Sequence, residues 1–420
     1  MKYHDILNHA FEACYKSALP KNCLPSYIPQ TPPKGKTYVI GAGKAAAEMA
    51  AIFESHYKYP FEGMVVTRYG HAVETKTIKV MEASHPVPDK AGEDAAKAML
   101  AYVEQAREDD HVICLISGGG SALLTCPVDG VPFDDIQDLN KQLLGCGASI
   151  TEINTVRKHL NQAFGGKLLK AASPAKVITL SISDVSGDDT STIASGPTVG
   201  DPTTLSECLE IIQKYNLNTS DAILTYLADK VHETPKPNDA MFENSEYHLI
   251  ATPQKSLEAA AAYIKEQGFT PMILSSMLEG DTDQVADMHV ALVKQVMQYE
   301  QPLKRPCAII SGGETTVTLR GTGRGGPNTQ FMLKAAIELK GQDNVYGIAC
   351  DTDGIDGAQD NAGAIIDPET LKRSHQKNID AKACLANNDS ELFFQTIGNL
   401  VTPGPTYTNV NDFRMILITE

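Results

Sequence analysis

The sequence predicts an α/β protein with more than one domain, and three observations support this fold class. The chain has 420 residues, more than the roughly 150 that one domain commonly holds. Apolar runs typical of buried strands alternate with helical patterns, which predicts a mainly parallel sheet. A second series of strands and helices follows a polar stretch at 232–246, which contains two prolines and is typical of a linker. We therefore expect an N-terminal domain at 1–240 and a C-terminal α/β domain at 246–420.

The elements of the N-terminal half follow from the spacing of apolar residues. The first segment places apolar side chains on one helical face, which indicates an amphipathic helix and not a signal peptide. Those side chains are Ile6, Leu7, Ala10, Phe11 and Cys14. Buried strands are predicted at 37–40, 64–67, 111–116 and 176–182.

The C-terminal half repeats the strand and helix alternation. A strand at 247–251 leads into Thr252 and Pro253, which have the residue types of a helix N-cap and its first position. This helix is expected to end at Gly268. Further strands are predicted at 307–310, 345–350 and 413–418.

Composition excludes several classes of protein. The net charge of −16 argues against nucleic acid as the main partner, because binding a phosphate backbone needs clustered Lys and Arg. No apolar run reaches the roughly 18 residues of a membrane span. Nine cysteines without a C-x-x-C pair indicate a reducing, cytoplasmic environment.

A glycine-rich loop follows the first strand. Gly41, Gly43 and Lys44 precede a run of alanines, so unpaired helix N–H groups beside a lysine could bind an anion. The G-x-G-x-x-A spacing also matches the dinucleotide fingerprint, although that fold needs an acid about 20 positions later, and Glu62 precedes the second strand. The third interpretation is a packing turn with a solvated Lys44.

A second glycine-rich loop comprises Ser117, Gly118, Gly119, Gly120 and Ser121. Successive glycines permit a backbone nest that surrounds a carboxylate or phosphate; the alternative is a flexible turn. Residues 311–313 repeat the Ser-Gly-Gly sequence after another strand. This repetition indicates either an internal duplication or the same turn chemistry used twice.

Two acidic loops and one basic loop complete the candidate residues. Carboxylates suit Mg²⁺, or could accept a hydroxyl proton, and their structural alternative is Asx-turns and helix caps. The acids are Asp184, Asp188, Asp189 and Asp351. Arg320 and Arg324 lie among glycines, where a guanidinium can approach phosphate or carboxylate oxygens, whereas a surface turn would leave them solvated. His85, in a proline turn, is expected to be structural.

Taken together, these segments resemble the glycerate 2-kinases of the GckA/TtuD type, whose C-terminal portion is the MOFRL domain. The resemblance spans almost the whole chain and rests on ordered motifs. They are VIGAGKAA, SHPVPD, LISGGGSALL, INTVRKHL, SDVSGDD, IASGPTVGDPTT, SGGETTVT, GRGGPNTQ and DTDGIDG. The resemblance implies two α/β domains, the first Rossmann-like, separated by a deep cleft, with the MOFRL region at about 305–418.

The resemblance also implies an activity, and together with the loops described above it gives the predicted site residues. ATP would phosphorylate D-glycerate to 2-phosphoglycerate, with Mg²⁺ as the metal. The enzyme would be cytoplasmic and would bind neither nucleic acid nor membrane. A homodimer is one possible oligomeric state. Lys44 and Arg324 match its basic motif positions, and Asp184 completes the predicted catalytic set. The 41–43 and 117–121 loops would bind substrate or phosphate, and Asp188, Asp189 and Asp351 the metal. The predicted nucleotide-binding residues are Gly312, Gly313, Glu314 and Asn328.

Two rival functions stay open on the sequence. An NAD(P)H-dependent hydroxypyruvate reductase would use the dinucleotide-like turn at Gly41 and Gly43. A binding protein that senses a small phosphorylated acid would need the glycine loops but not the accompanying acids and bases. Measurement of ADP formation and NADH consumption in parallel separates the three functions.

Overall fold

The computed structural model describes residues 2–357 and 360–420. Its strands are numbered along the chain. They are β1 Thr37–Ala42, β2 Glu62–Arg68, β3 Ile78–Ala83, β4 His111–Ile116, β5 Lys176–Ile182, β6 Ser245–Ala251, β7 Thr270–Asp281, β8 Cys307–Thr316, β9 Val345–Asp351, β10 Gly363–Ile366, β11 Leu400–Val401 and β12 Asp412–Ile418.

The α-helices are numbered in the same way. They are α1 Lys2–Ser17, α2 Pro20–Cys23, α3 Ala46–His56, α4 Lys90–Val103, α5 Gly120–Leu123, α6 Phe133–Gly145, α7 Ile150–His159, α8 Lys167–Ala172, α9 Leu205–Lys214, α10 Asp221–Ala228, α11 Pro253–Glu266, α12 Thr282–Tyr299, α13 Pro327–Leu339, α14 Thr370–Gln376, α15 Ala381–Ala386 and α16 Ser390–Ile397.

The chain forms two compact units, and the first comprises Cys23–Ile250. Its sheet has the order β3-β2-β1-β4-β5-β6, and the pairs from β3 to β5 are parallel. This is the strand order of a Rossmann fold. Every residue of β1 is buried, as expected where helices cover both faces of a parallel sheet. The predicted α/β class and parallel sheet are confirmed.

The second unit comprises residues 2–22 and 251–420. Its sheet has the order β11-β10-β9-β12-β8-β7. β7 and β8 are parallel, whereas β8, β12, β9, β10 and β11 pair in antiparallel fashion. Thr252 accepts a hydrogen bond from the Lys255 N–H, and Pro253 occupies the first turn of α11, so the predicted cap is confirmed.

The extents of the two units differ from the predicted domain ranges in two places. Helix α1 buries its predicted face, but it does so against α11 and the second sheet. Strand β6, expected in the second domain, completes the first sheet. The spacing of apolar residues shows which face of a helix or strand is buried, but it does not show which other element that face packs against.

The interpretation of 232–246 as a linker is wrong. Thr234 is 2% exposed and donates to Asp201 at 3.1 Å. Glu233 accepts from the Leu205 N–H and contacts His159 at 3.1 Å. The polar residues and prolines of this segment are typical of a linker. Their partners inside the protein lie far away along the chain, so the local sequence does not reveal them.

Among the residues that the structure describes, no helix is both long and apolar enough to cross a bilayer.

Candidate active site

Two loops meet at the carboxyl edge of the first sheet, between β1 and β4, where the strand order reverses. Open α/β sheets bind ligands at this position. The Lys44 N–H donates to the Gly118 carbonyl at 2.8 Å, and the Ser117 N–H donates to the Ala42 carbonyl at 3.1 Å. The Ala45 N–H donates to Ser117 Oγ at 3.0 Å. The two predicted glycine loops therefore brace each other.

The loop amides just before α3 are used inside the protein. The N–H groups of Lys44 and Ala45 make the bonds given above, and the Gly43 N–H donates to the Val66 carbonyl at 3.2 Å. Gly41 lies within β1, where a β-carbon would come 2.5 Å from the Leu115 carbonyl oxygen. Gly41 therefore permits close strand packing. A phosphate at this edge would depend on the Lys44 side chain and not on these amides.

Gly119 is placed between two potential ligand-binding side chains. A β-carbon built there would lie 2.9 Å from His85 Nε2 and 3.4 Å from Lys44 Cγ. The φ angle of Gly119 is +84°, a conformation that favours glycine. The structure thus brings Lys44 and the 117–121 loop together. It adds His85, whose position in a proline turn gave no sign of this neighbour.

Asp184 follows β5 and its carboxylate lies directly against the Cα of Gly118, leaving no room for a β-carbon. Gly120 is equally restricted, because a β-carbon would come 2.6 Å from that of Ala194. Ser121 Oγ contacts Ser195 Oγ at 2.9 Å. The loop is therefore held between the ends of β1 and β5, which argues against a merely flexible turn.

The other acids of the first acidic loop differ in their surroundings. Asp189 is exposed, and its carboxylate accepts hydrogen bonds from Ser191 and from the Thr192 hydroxyl, as the Asx-turn alternative anticipated. Asp188 is half-buried and has a φ of +58°. Within residues 2–357 and 360–420, no group of three or more His, Cys, Asp or Glu side chains is arranged to hold a metal.

The second Ser-Gly-Gly sequence is not a turn. Gly312 and Gly313 lie inside β8, and Gly313, at φ +103°, packs against the backbone of Leu278 in the irregular strand β7. Glu314 is exposed on the same strand. The prediction of similar turn chemistry at the two sequences is wrong, because the second one is paired with a neighbouring strand throughout.

Asn328 lies in the interior, 1% exposed. Its side-chain amide donates to Asp412 at 2.6 Å, and its backbone N–H donates to Asp356 at 2.9 Å. Asp356 also accepts from the N–H and hydroxyl of Thr329. Asp356 therefore accepts the hydrogen bonds of the first turn of α13. The bonds of Asn328 are made inside the protein and hold this turn in place.

Arg324 is exposed, with 63% of its side chain accessible, and its Nε lies 3.5 Å from Glu391. Its backbone N–H donates to Asp389 and its carbonyl accepts from the Glu391 N–H. Arg320 pairs with Asp283 at 3.2 Å. The loop backbone is thus held in place while the Arg324 guanidinium stays accessible.

The last predicted metal ligand, Asp351, ends β9 in the second unit. Its Oδ1 accepts the N–H of Asp353 at 2.9 Å, and Asp353 accepts the N–H of Ile355 in the same way. These consecutive Asx-turns shape the loop, as the structural alternative anticipated.

A cavity of about 250 Å³ adjoins the 117–121 loop. His85, Gly119 and Ser121 line it on one side, and Arg157 and Asn161 on another. Most of the remaining wall is apolar, from residues such as Phe164. The sequence did not single out Arg157, because one basic residue in an amphipathic helix is usually solvated.

Comparison with known proteins covers the whole chain. A domain of unknown function, DUF4147, matches residues 6–228, and the MOFRL family matches residues 307–412. The D-glycerate 2-kinase of Thermotoga maritima is 39% identical over 99% of this chain and 97% of its own length. The chain belongs to the MOFRL glycerate kinase family.

Solved structures agree with the family assignment. The crystal structure of glycerate kinase from Thermotoga maritima matches with a TM-score of 0.91 and 36% identity, covering 100% of both chains. A relative from Agrobacterium vitis, named putative hydroxypyruvate reductase, is 45% identical over 98% of this chain and 94% of its own length. The names of these MOFRL glycerate kinase relatives therefore disagree about the reaction.

The geometry bears on that disagreement. A dinucleotide fold leaves the N–H groups at the start of the first helix open to a pyrophosphate. In this MOFRL glycerate kinase chain, the amides of residues 43–45 in the loop before α3 donate to Val66, Ser117 and Gly118. The end of β2 carries Thr67 and Arg68 and not an acid for a ribose hydroxyl. The missing acid therefore counts against NADH as the cofactor of a reductase.

Proposed function

We propose that this chain transfers the γ-phosphoryl group of ATP to the C2 hydroxyl of D-glycerate. The observation that carries the proposal is the convergence of Lys44, the 117–121 loop and Asp184 at the reversal point of a parallel sheet, in a chain of the MOFRL glycerate kinase family. The relatives named D-glycerate 2-kinase and glycerate kinase support the acceptor and the reaction.

Phosphoryl transfer requires alignment of two substrates and neutralisation of the charge on the transferred group. In the proposal, Lys44 neutralises charge at the carboxyl edge of the first sheet, and Arg324 contributes the second positive charge. The Asp184 carboxylate orients the acceptor hydroxyl and accepts its proton as the oxygen attacks phosphorus. The rigid glycine loop keeps the acceptor in line with the donor.

The donor set of the first unit also fits a magnesium ion. Mg²⁺ is usually held by one or two carboxylates, with substrate phosphates and water completing its shell. Asp188, in the loop after β5, is the carboxylate that would hold it. When bound, Mg²⁺ would neutralise charge on the nucleotide phosphates.

The nine cysteines, all free thiols and eight of them buried, support a cytoplasmic location.

The test is one assay with two readouts. ADP formation from D-glycerate and ATP is measured beside NADH and NADPH oxidation with hydroxypyruvate. We expect ADP formation alone. Oxidation of either reduced nucleotide without ADP formation would favour the reductase, for which Arg68 could face the 2′-phosphate of NADPH.

A further inference from the structure

One basic residue beside the candidate active site lacks an acidic partner. Arg157 lies in the last turn of α7 and lines the cavity of about 250 Å³ next to Gly119. Across the described ranges 2–357 and 360–420, its side-chain hydrogen bond is the one from Nε to Asn140 Oδ1, at 2.9 Å. That bond leaves the two terminal nitrogens of the guanidinium available to a ligand in the cavity.

The surroundings of Arg157 make this arrangement costly without a ligand. Burial lowers the pKa of Arg157, and no neighbouring acid among the described residues opposes this effect. A half-buried cation without a counterion loses part of its hydration, and no acid among the described residues replaces it. The neighbouring Lys158 shows the contrast, because its ammonium is buried beside Asp201 at 3.3 Å. Arg157 is therefore placed to receive an anion from outside the chain.

We infer that Arg157 binds the carboxylate of the 2-hydroxy acid acceptor in this cavity. A guanidinium fork matches a carboxylate through two parallel hydrogen bonds. Arg157 is the half-buried basic residue of a mainly apolar cavity, and Lys141 at the same cavity is exposed and paired with Asp138. This arrangement suits a singly charged group, whereas a triphosphate carries several charges and needs more donors. The cavity shares Gly119 and Ser121 with the glycine loop, so an acid held at Arg157 would have its hydroxyl near that loop. This inference rests on the proposed function for the identity of the acid.

The experiment compares Arg157→Gln and Arg157→Met with Lys141→Gln. Lys141 lines the same cavity, but its side chain is 69% exposed and pairs with Asp138 at the surface, so this control removes an equal charge. We expect both Arg157 variants to raise the KM and Kd for D-glycerate about 30-fold or more. The KM for ATP should stay within about twofold, and Lys141→Gln should resemble the parent protein.

Two further measurements separate binding from a structural role. Glyceramide, which lacks the carboxylate charge, should bind the parent protein far more weakly than D-glycerate, and the Arg157 variants should lose that discrimination. Because this half-buried cation has no acidic partner among the described residues, its removal should leave the melting temperature unchanged or raise it. A lower melting temperature with unaltered discrimination would identify a structural residue and overturn the inference.

The remaining outcomes distinguish the inference from the proposed function. A changed KM for ATP with an unchanged KM for D-glycerate would place a nucleotide phosphate at Arg157 and overturn the carboxylate assignment. Calorimetric titration of D-glycerate without ATP measures binding independently of turnover. If the parent protein binds D-glycerate through Arg157 but forms no ADP, the kinase proposal fails and the inference stands. If Arg157→Met turns over D-glycerate as the parent protein does, the inference fails and the kinase proposal stands.

Discussion

Replacement of Gly119 by alanine tests whether the 117–121 loop positions Lys44 and His85. The added β-carbon would lie 2.9 Å from Nε2 and Cδ2 of His85 and 3.4 Å from Cγ of Lys44, so the imidazole must move. The φ of +84° adds strain of about 1–2 kcal/mol for a residue with a β-carbon. For a unit of this size, that strain alone lowers the melting temperature by roughly 2–8 °C.

Gly130→Ala is the matched control. Gly130 has a φ of +81°, but no atom lies within 4 Å of the position that an added β-carbon would take, so the variant carries the backbone strain without the collision. We expect Gly119→Ala to lose kcat by about 10²-fold, the scale of a 1 Å misplacement of catalytic groups. Gly130→Ala should keep the parent kcat. Steady-state kinetics give the kcat of each variant, and thermal melts give its stability. Equal kcat values in the two variants would refute the positioning role of Gly119.

Three further predictions concern charge, metal and pH. Lys44→Ala and Arg324→Ala should each lower kcat about 10²- to 10³-fold with little change in the thermal melt, and Arg324→Lys should rescue little; near-native kcat would remove that residue from the mechanism. EDTA should abolish turnover and Mg²⁺ restore it, whereas full activity in EDTA would exclude the metal. Burial lowers the pKa of His289 to about 4 from its ordinary 6.5, so the unfolded chain binds a proton first and stability falls as the pH drops from 6.5 towards 4. Between pH 7.5 and 5 this residue should contribute a loss of about 2 kcal/mol; urea unfolding should show a flatter pH dependence in His289→Gln, and an equal slope would contradict the assignment.

Local patterns in the sequence were sufficient for much of the fold. The buried face of α1, from Ile6 to Cys14, follows directly from helical spacing. The start of α11 follows from the chemistry of Thr252 and Pro253. These features depend on neighbours within one or two turns, so the sequence contains all the information needed to predict them.

Other features depend on which strands become neighbours. The Ser-Gly-Gly sequences at 117–119 and 311–313 are identical, yet the first leaves its strand and the second continues along β8. The difference comes from β7, which pairs with β8 past Gly313 through an irregular register. Spacing within either segment carries no information about that partner.

The candidate site shows the same limit for polar residues. The sequence identified Lys44, the 117–121 loop and Asp184, because each lies in a loop after a predicted strand and has the chemistry of an anion or metal site. It could not show that Asp356 is the partner of Asn328, nor that Arg157 faces a cavity without an acid. Whether a polar side chain is satisfied inside the protein depends on residues brought together by folding.

Identification of the product tests the central claim most directly. The purified protein is incubated with D-glycerate and Mg²⁺–ATP, and the product is analysed by NMR and supplied to enolase without a mutase. The account predicts one ADP per phosphorylated acid, a phosphate on C2 and immediate consumption by enolase. A phosphate on C3, which enolase could use only after a mutase was added, would contradict the proposed function.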